Sequence, residues 1–329
     1  MSAMEKNLLI TAVGGDIGCT ALRCIINSYD YNVIIGCDIV SDIEARLYLD
    51  KFFIAPPYSD EEQYIEYIMD VCIKYSVTHL LPMSEQEIVL INKHRDWFGK
   101  NNVLLLVNKP LILDIALSKY KTASFLSEQG ISVPKTYRLD EYTNQLSYPL
   151  VIKADYSRGS KDVKIVNNDE EYCNSIAQIY NPIIQEYIGT PDDEYTMCIF
   201  SDGTQVSSIT FKRKLGFGGM SVKVELVCDE KLNYISNQIA KSFRLVGSIN
   251  VQMRKESGEY YVFEINPRIS SSIGFRHLFG FKDLIWWLSI LDGKKVDLNY
   301  QVPDRKIGIR TLGEVLLPDY MDETALHKN

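Results

Sequence analysis

A chain of 329 residues, 46% hydrophobic and 24% charged, carries apolar material for two or three domains of ~150 residues each. Its net charge is −8 and its basic residues are scattered, which excludes the basic stripe of a nucleic-acid binder. No apolar run reaches the ~18 residues of a membrane span, and the opening Met1-Ser2-Ala3-Met4-Glu5-Lys6 has no signal-peptide pattern. The seven cysteines form no C-x-x-C pair, so they read as reduced thiols of a cytoplasmic protein. His79, His94, His277 and His327 are too dispersed for a zinc site.

In chain order, residues 7–13 are an apolar run of strand length, followed by the turn Gly14-Gly15-Asp16-Ile17-Gly18 and a helical pattern from Cys19 to Asn27. A second strand, 33–37, ends at Asp38. Strand, glycine turn, helix, strand and acid outline a dinucleotide-binding unit and hence a nicotinamide site. The adjacent glycines equally serve any tight strand-to-helix turn. Helices at 61–75 and 86–98 alternate with strands at 79–82 and 103–107, giving a small doubly wound parallel sheet that ends near Asn108-Lys109-Pro110. Glu85 and Glu87 follow a strand end, where such sheets place ligand contacts, and also suit the first turn of a helix.

From 111 the character changes. A helix at 114–129 carries Lys119 and stops at Gly130. In Tyr148–Asp155 a lysine, Lys153, emerges from a buried strand and needs an anion. The loop Ser157–Lys161, with Gly159 and Ser160, is small and basic enough to lie over phosphates. The stretch 182–189, an apolar strand running into a short linker through Gln185, Glu186, Tyr187 and Ile188, leads to a hairpin of 194–200 with 206–211. Arg213 and Lys214 then precede a glycine loop. A helix at 230–244 leads to a second hairpin, 247–254 with 260–266, which makes Gln252 and Glu264 neighbours. Trp286 and Trp287, in the last helix, read as core.

The stretch 260–268 ends in a carboxylate, an amide and a guanidinium. Alternation points Glu264, Asn266 and Arg268 one way, and Phe263 and Ile265 the other way into a core. A carboxylate beside an amide oxygen suits a hard divalent cation, and the arginine suits the phosphate that the cation carries.

Together these pieces resemble the ATP-grasp superfamily, in its carbamoyl-phosphate-synthetase-like and biotin-carboxylase-like branch. They are the glycine-turn domain, Lys119, Lys153 with its small-residue loop, Gln185–Ile188, Glu194, Asn250-Val251-Gln252 and Glu264-x-Asn266-Pro-Arg268. The implied fold class is α/β, passing to α+β in the C-terminal part. A pre-ATP-grasp Rossmann-like parallel sheet (1–110) precedes an ATP-grasp fold of two α+β subdomains (111–188 and 189–329). The implied ligands are ATP and Mg2+, with Mn2+ as an alternative. By resemblance Lys119, Lys153, Ser157, Gly159 and Ser160 hold phosphates. Gln185, Glu186, Tyr187 and Ile188 frame the base, and Glu194 binds the ribose. Gln252, Glu264 and Asn266 belong to the metal, and Arg268 and Lys153 act in catalysis. The implied reaction activates a small carboxylate as an acyl phosphate and joins it to an amine. Glu85, Arg213, Lys214 and Arg276 are candidates for holding that substrate. The resemblance is compatible with a homodimer. The rivals are a nicotinamide-dependent oxidoreductase and a non-catalytic ATP-binding module.

Overall fold

The computed structural model describes residues 5–156, 163–311, 313 and 315–317. They fall into two compact units, one formed up to Asn108 together with Arg268–Asp297, the other by Lys109–Pro267 together with Leu298–Arg310.

The first unit opens with β1 (Asn7–Thr11), α1 (Asp16–Ile26), β2 (Val33–Asp38) and β3 (Lys51–Ile54). It continues with α2 (Glu61–Lys74), β4 (His79–Leu81), α3 (Glu85–Lys93), α4 (Arg95–Lys100) and β5 (Leu104–Leu105). The strands form one parallel sheet in the order β3-β2-β1-β4-β5. All five residues of β1 are buried, which is why it reads as continuous apolar sequence and not as an alternating pattern. Strand β3 escaped the sequence reading because only Phe52 and Phe53 of its four residues are buried. The single helix expected over 86–98 is two, divided at His94. Helix α3 is fixed at its start by a capping box, Ser84 accepting from the Glu87 N–H and Glu87 from the Ser84 N–H.

The second unit contains α5 (Pro110–Ala116), α6 (Lys119–Glu128), β6 (Thr136–Arg138), β7 (Leu150–Ala154), β8 (Val163–Val166), α7 (Asp169–Gln178) and β9 (Pro182–Glu186). After these come β10 (Glu194–Ser201), β11 (Val206–Leu215), β12 (Ser221–Val227), α8 (Glu230–Phe243), β13 (Gly247–Glu256), β14 (Glu259–Asn266) and β15 (Ile307–Ile309). They build two antiparallel sheets, β6-β9-β7-β8 and β14-β13-β10-β11-β12-β15. The helix expected over 114–129 is broken at Leu117-Ser118, where Ser118 caps α6 by accepting from the Lys121 N–H.

Two short helices, α9 (Ile273–Leu278) and α10 (Asp283–Leu291), return to the first unit, where the sequence reading places them with the C-terminal subdomain. The reason is packing and charge. Trp286 and Trp287 are buried, and Asp292, just after α10, accepts from Lys6 Nζ and the Tyr29 hydroxyl. Its other oxygen lies 3.2 Å from His79 Nε2. Lys6 precedes β1 and His79 opens β4, so one carboxylate fastens the returning segment to the start of two central strands.

Helix α1 begins at Asp16, three residues before the expected start, so Gly18 lies in its first turn. A Cβ there would sit 2.5 Å from the Ala12 carbonyl oxygen and 2.8 Å from Val13 Cα. Backbone cannot yield as a flexible side chain can. Gly18→Ala is therefore expected to cost about 1–3 kcal/mol, the usual range for overpacking, read as a lowered midpoint in thermal unfolding of the full chain.

Candidate functional site

One face of the six-stranded sheet is core. Tyr195, Met197 and Ile199 of β10, Ile249, Val251 and Met253 of β13, and Tyr260, Val262 and Ile265 of β14 form a cluster with residues of α5, α6 and α8. The neighbouring positions along β10 and β13 belong to the opposite face, where register sets Glu194 against Arg254, Thr196 against Gln252, Gln252 against Glu264 and Asn250 against Asn266.

Register in the β13–β14 pair slips by one residue. Gln252 opposes Glu264, but Met253 opposes Val262, which leaves Phe263 as the extra residue of a bulge. This corrects the expectation that Phe263 shares the core with Ile265. Before the bulge Tyr260 and Val262 face the core, after it Ile265 does, and Phe263 and Glu264 both turn away. The Phe263 ring centre lies 5.4 Å from Lys153 Nζ and 5.9 Å from the Arg254 guanidinium carbon. Its carbonyl accepts from Lys153 Nζ at 3.4 Å.

Lys153 reaches that face from β7. Leu150, Ile152 and Ala154 pack into a separate core, so strand alternation sends Lys153 the other way. It is 4% exposed, and the long bond to Phe263 is its hydrogen bond among the described residues. Burial pushes its ammonium down to about 7, against the pull of the Glu264 carboxylate, with Lys119 and Arg254 adding repulsion. A buried ammonium so poorly paired favours an incoming anion.

Asp155, one residue past β7, was not singled out from sequence, yet it organises this corner. Its carboxylate accepts from Ser118 Oγ and the Tyr120 N–H at 2.9 Å. Its carbonyl accepts from the Lys119 N–H at 3.2 Å and from Lys119 Nζ at 3.4 Å. The end of the strand that carries Lys153 is thereby fastened to the start of the helix that carries Lys119.

A second cluster forms around Glu194, 6% exposed. Arg213 donates to its Oε1 through Nη2 at 2.6 Å and Nε at 3.2 Å, and Arg254 Nη2 approaches Oε2 at 3.5 Å. Arg213 Nη2 also donates to Gln252 Oε1 at 2.8 Å. Arg254 further lies 5.5 Å from the Tyr187 ring centre and donates to the Ile188 carbonyl at 3.4 Å. Among the described residues the side chains of Glu264 and Asn266 take no hydrogen bond or ion pair, and Glu264 attracts the Lys153 ammonium. A free carboxylate and a free amide on adjoining outward positions suit one hard cation that keeps most of its other ligands from water or phosphate.

Several expected residues have other employment. Gln185 is buried and donates to Thr136 Oγ1 at 2.8 Å inside its sheet. Glu186 accepts from the Lys135 N–H at 3.2 Å. Arg276, 1% exposed, is spent on Asp283 (3.0 and 2.9 Å) and on Ser270 and Ser272 (2.8 Å each). Lys214 is exposed. In the first unit Glu85 Oε1 accepts from Arg268 Nε at 3.1 Å, and Arg268 Nη1 donates to the Ile269 carbonyl. Ser157, Gly159 and Ser160 lie outside the described residues. Among the described residues no three His, Cys, Asp or Glu side chains cluster as a metal site, and no helix is long and apolar enough to cross a membrane.

Residues 116–272 match the ATP-grasp domain family. That stretch is the ATP-grasp-like part of the chain. Residues 8–106 match the PylC-like N-terminal domain. The carbamoyl phosphate synthase large chain of Saccharolobus solfataricus is 24% identical over 255 residues, 71% of this chain and 23% of that one, so the chain spans about a quarter of the relative's length. Among solved structures, the biotin carboxylase domain dimer of Hydrogenobacter thermophilus 2-oxoglutarate carboxylase, complexed with MgADP, ADP and bicarbonate, superposes with a TM-score of 0.76. It has 15% identity, over 94% of this chain and 75% of that one. The N5-carboxyaminoimidazole synthetase of Staphylococcus aureus, complexed with ADP, gives 0.71 at 15% identity, over 92% and 82%. The fold is thus the mixed α/β ATP-grasp fold, and the nicotinamide reading of the glycine turn is not supported. Asp38, the acid that reading needs for a ribose, spends its carboxylate on the N–H groups of Gly14 and Ile39 at 2.8 Å.

Lys153 gives a pH test. Its folded value near 7 lies below the ~10.4 of an unfolded lysine, so between these the unfolded state binds more protons and stability rises with pH. The penalty is complete below pH 7 and fades toward pH 10. Lys153→Met is expected to melt above the wild type at pH 6, with the difference shrinking as pH rises through 9, read by thermal scans of the nucleotide-free protein.

Proposed function

We propose that the chain is an ATP- and Mg2+-dependent ligase that activates a small carboxylate as an acyl phosphate and joins it to an amine. The observation that carries this reading is the proximity of a buried, under-neutralised ammonium, Lys153, to Glu264 and Asn266, whose side chains take no hydrogen bond among the described residues.

In this reading Lys153 and Lys119 bind phosphate oxygens, and Asp155 keeps the two at a fixed separation. The backbone of Glu186–Ile188 frames the base, with Tyr187 beside it, and Glu194 takes the ribose hydroxyls. Glu264 and Asn266 would hold magnesium, which when bound neutralises phosphate charge and orients the phosphates; manganese suits the same oxygen ligands. Arg268 is the charge assigned to the transferring phosphoryl group, and its pairing with Glu85 fixes the guanidinium before substrate arrives. The substrate carboxylate attacks the γ-phosphorus, ADP leaves, and an amine then displaces phosphate from the acyl carbon. The chain's residues contribute positioning and charge neutralisation more than covalent chemistry. No disulfide joins cysteines among the described residues, which supports a cytoplasmic setting.

Phosphate release measured with ATP, Mg2+ and a matrix of small carboxylates and amines is expected to reveal a pair that depends on both partners. Glu264→Ala should lower that rate by about 10²–10³, the usual cost of removing one preorganised electrostatic group, with the thermal midpoint retained. Near-normal turnover in the folded variant would refute the assignment. A chain that binds ATP with no carboxylate-dependent phosphate release would instead be a binding module.

A further inference from the structure

We propose that Gln252 is a positioning residue and not a metal ligand, and that the guanidinium of Arg213 is the cation its carbonyl serves. The inference rests on the ligase reading above and refines its metal site.

Arginine has donors and no acceptor. Its contact with the Gln252 side chain, 2.8 Å from Nη2, must therefore be to the amide oxygen. The orientation of this amide is fixed by chemistry. The same guanidinium is bound to Glu194 through Nη2 and Nε at 2.6 and 3.2 Å, and both partners are more than nine-tenths buried. Arg213 cannot swing aside without leaving a buried carboxylate to the longer Arg254 contact at 3.5 Å. A divalent cation on the same amide oxygen would sit against a fixed positive charge in a poorly solvated place.

The pole of Gln252 that remains is its NH2, a donor. A donor cannot ligate a cation, but it can orient a carboxylate that does, and the residue directly across the ladder is Glu264. The metal is then left with Glu264 and Asn266. Two protein ligands are the usual supply for a magnesium ion that arrives on phosphates. Arg213 thereby joins the carboxylate assigned to the sugar to the strand that carries the metal's neighbour. Its loss should be felt in nucleotide binding.

The test uses Mn2+ as a paramagnetic probe bound to the full chain with ADP, together with calorimetry of ADP alone. Gln252→Leu is expected to keep Mn2+ affinity within about threefold, whereas Glu264→Gln loses it; a lost hydrogen bond to a charged group is worth about tenfold or more. Arg213→Met should weaken metal-free ADP binding by about tenfold on the same scale, and Arg213→Lys should restore part of it. Should Arg213→Met fold poorly, Gln252→Leu against Glu264→Gln decides alone. Loss of Mn2+ affinity in Gln252→Leu equal to that in Glu264→Gln would overturn the proposal. A wild type that binds neither ADP nor Mn2+·ADP would overturn the ligase reading itself, and the proposal with it.

Discussion

A positive charge held away from water needs an anion, and the polar face of the six-stranded sheet gathers more such charge than it neutralises. Lys119, Lys153 and Arg213 are buried, and Arg254 joins them, while Glu194 and Asp155 are already engaged. Among the described residues Glu264 is the remaining acid at this place. Lys153 registers the surplus directly, because burial and its cationic neighbours outweigh the pull of Glu264. In the proposed reading, a polyanion with its own divalent cation would resolve this arrangement, bringing negative charge to the lysines and a positive ion to Glu264 and Asn266. The stability that folding forgoes here is the preorganisation a nucleotide would use.

The bulge at Phe263 is what lets that charge and the polar groups of Glu264 and Asn266 coexist with a well-packed core. Without it, the alternation that sends Tyr260 and Val262 into the core would carry Glu264 and Asn266 there as well. With it, the strand serves the core before and after the extra residue and still delivers Glu264 outward. Phe263 supplies an aromatic face and a carbonyl to Lys153 in the process.

The two carboxylates nearest to being missed have parallel duties. Asp155 locks the separation of two lysines from different elements, and Asp292 locks the returning helices to the parallel sheet. Neither contacts an expected ligand. Both act by satisfying several donors at once, the arrangement in which removing the acceptor leaves the most buried polar groups unpaired.

The sequence by itself determined the parallel sheet, because strands buried on both faces leave uninterrupted apolar runs, and the hairpins, because turn residues separate alternating ones. It also offered the residue types from which the site is proposed, a carboxylate and an amide two residues apart at a strand end with lysines upstream. It could not determine facing. A one-residue bulge inverts alternation without any local signature, so Phe263 was assigned to the wrong side. Nor could it determine partners. Arg213, Arg276 and Gln185 read as available polar groups, and only the folded chain shows them committed to Glu194, Asp283 and Thr136. Such pairings join residues distant in the chain, and burial, which makes each pairing obligatory, exists only once the tertiary structure has formed.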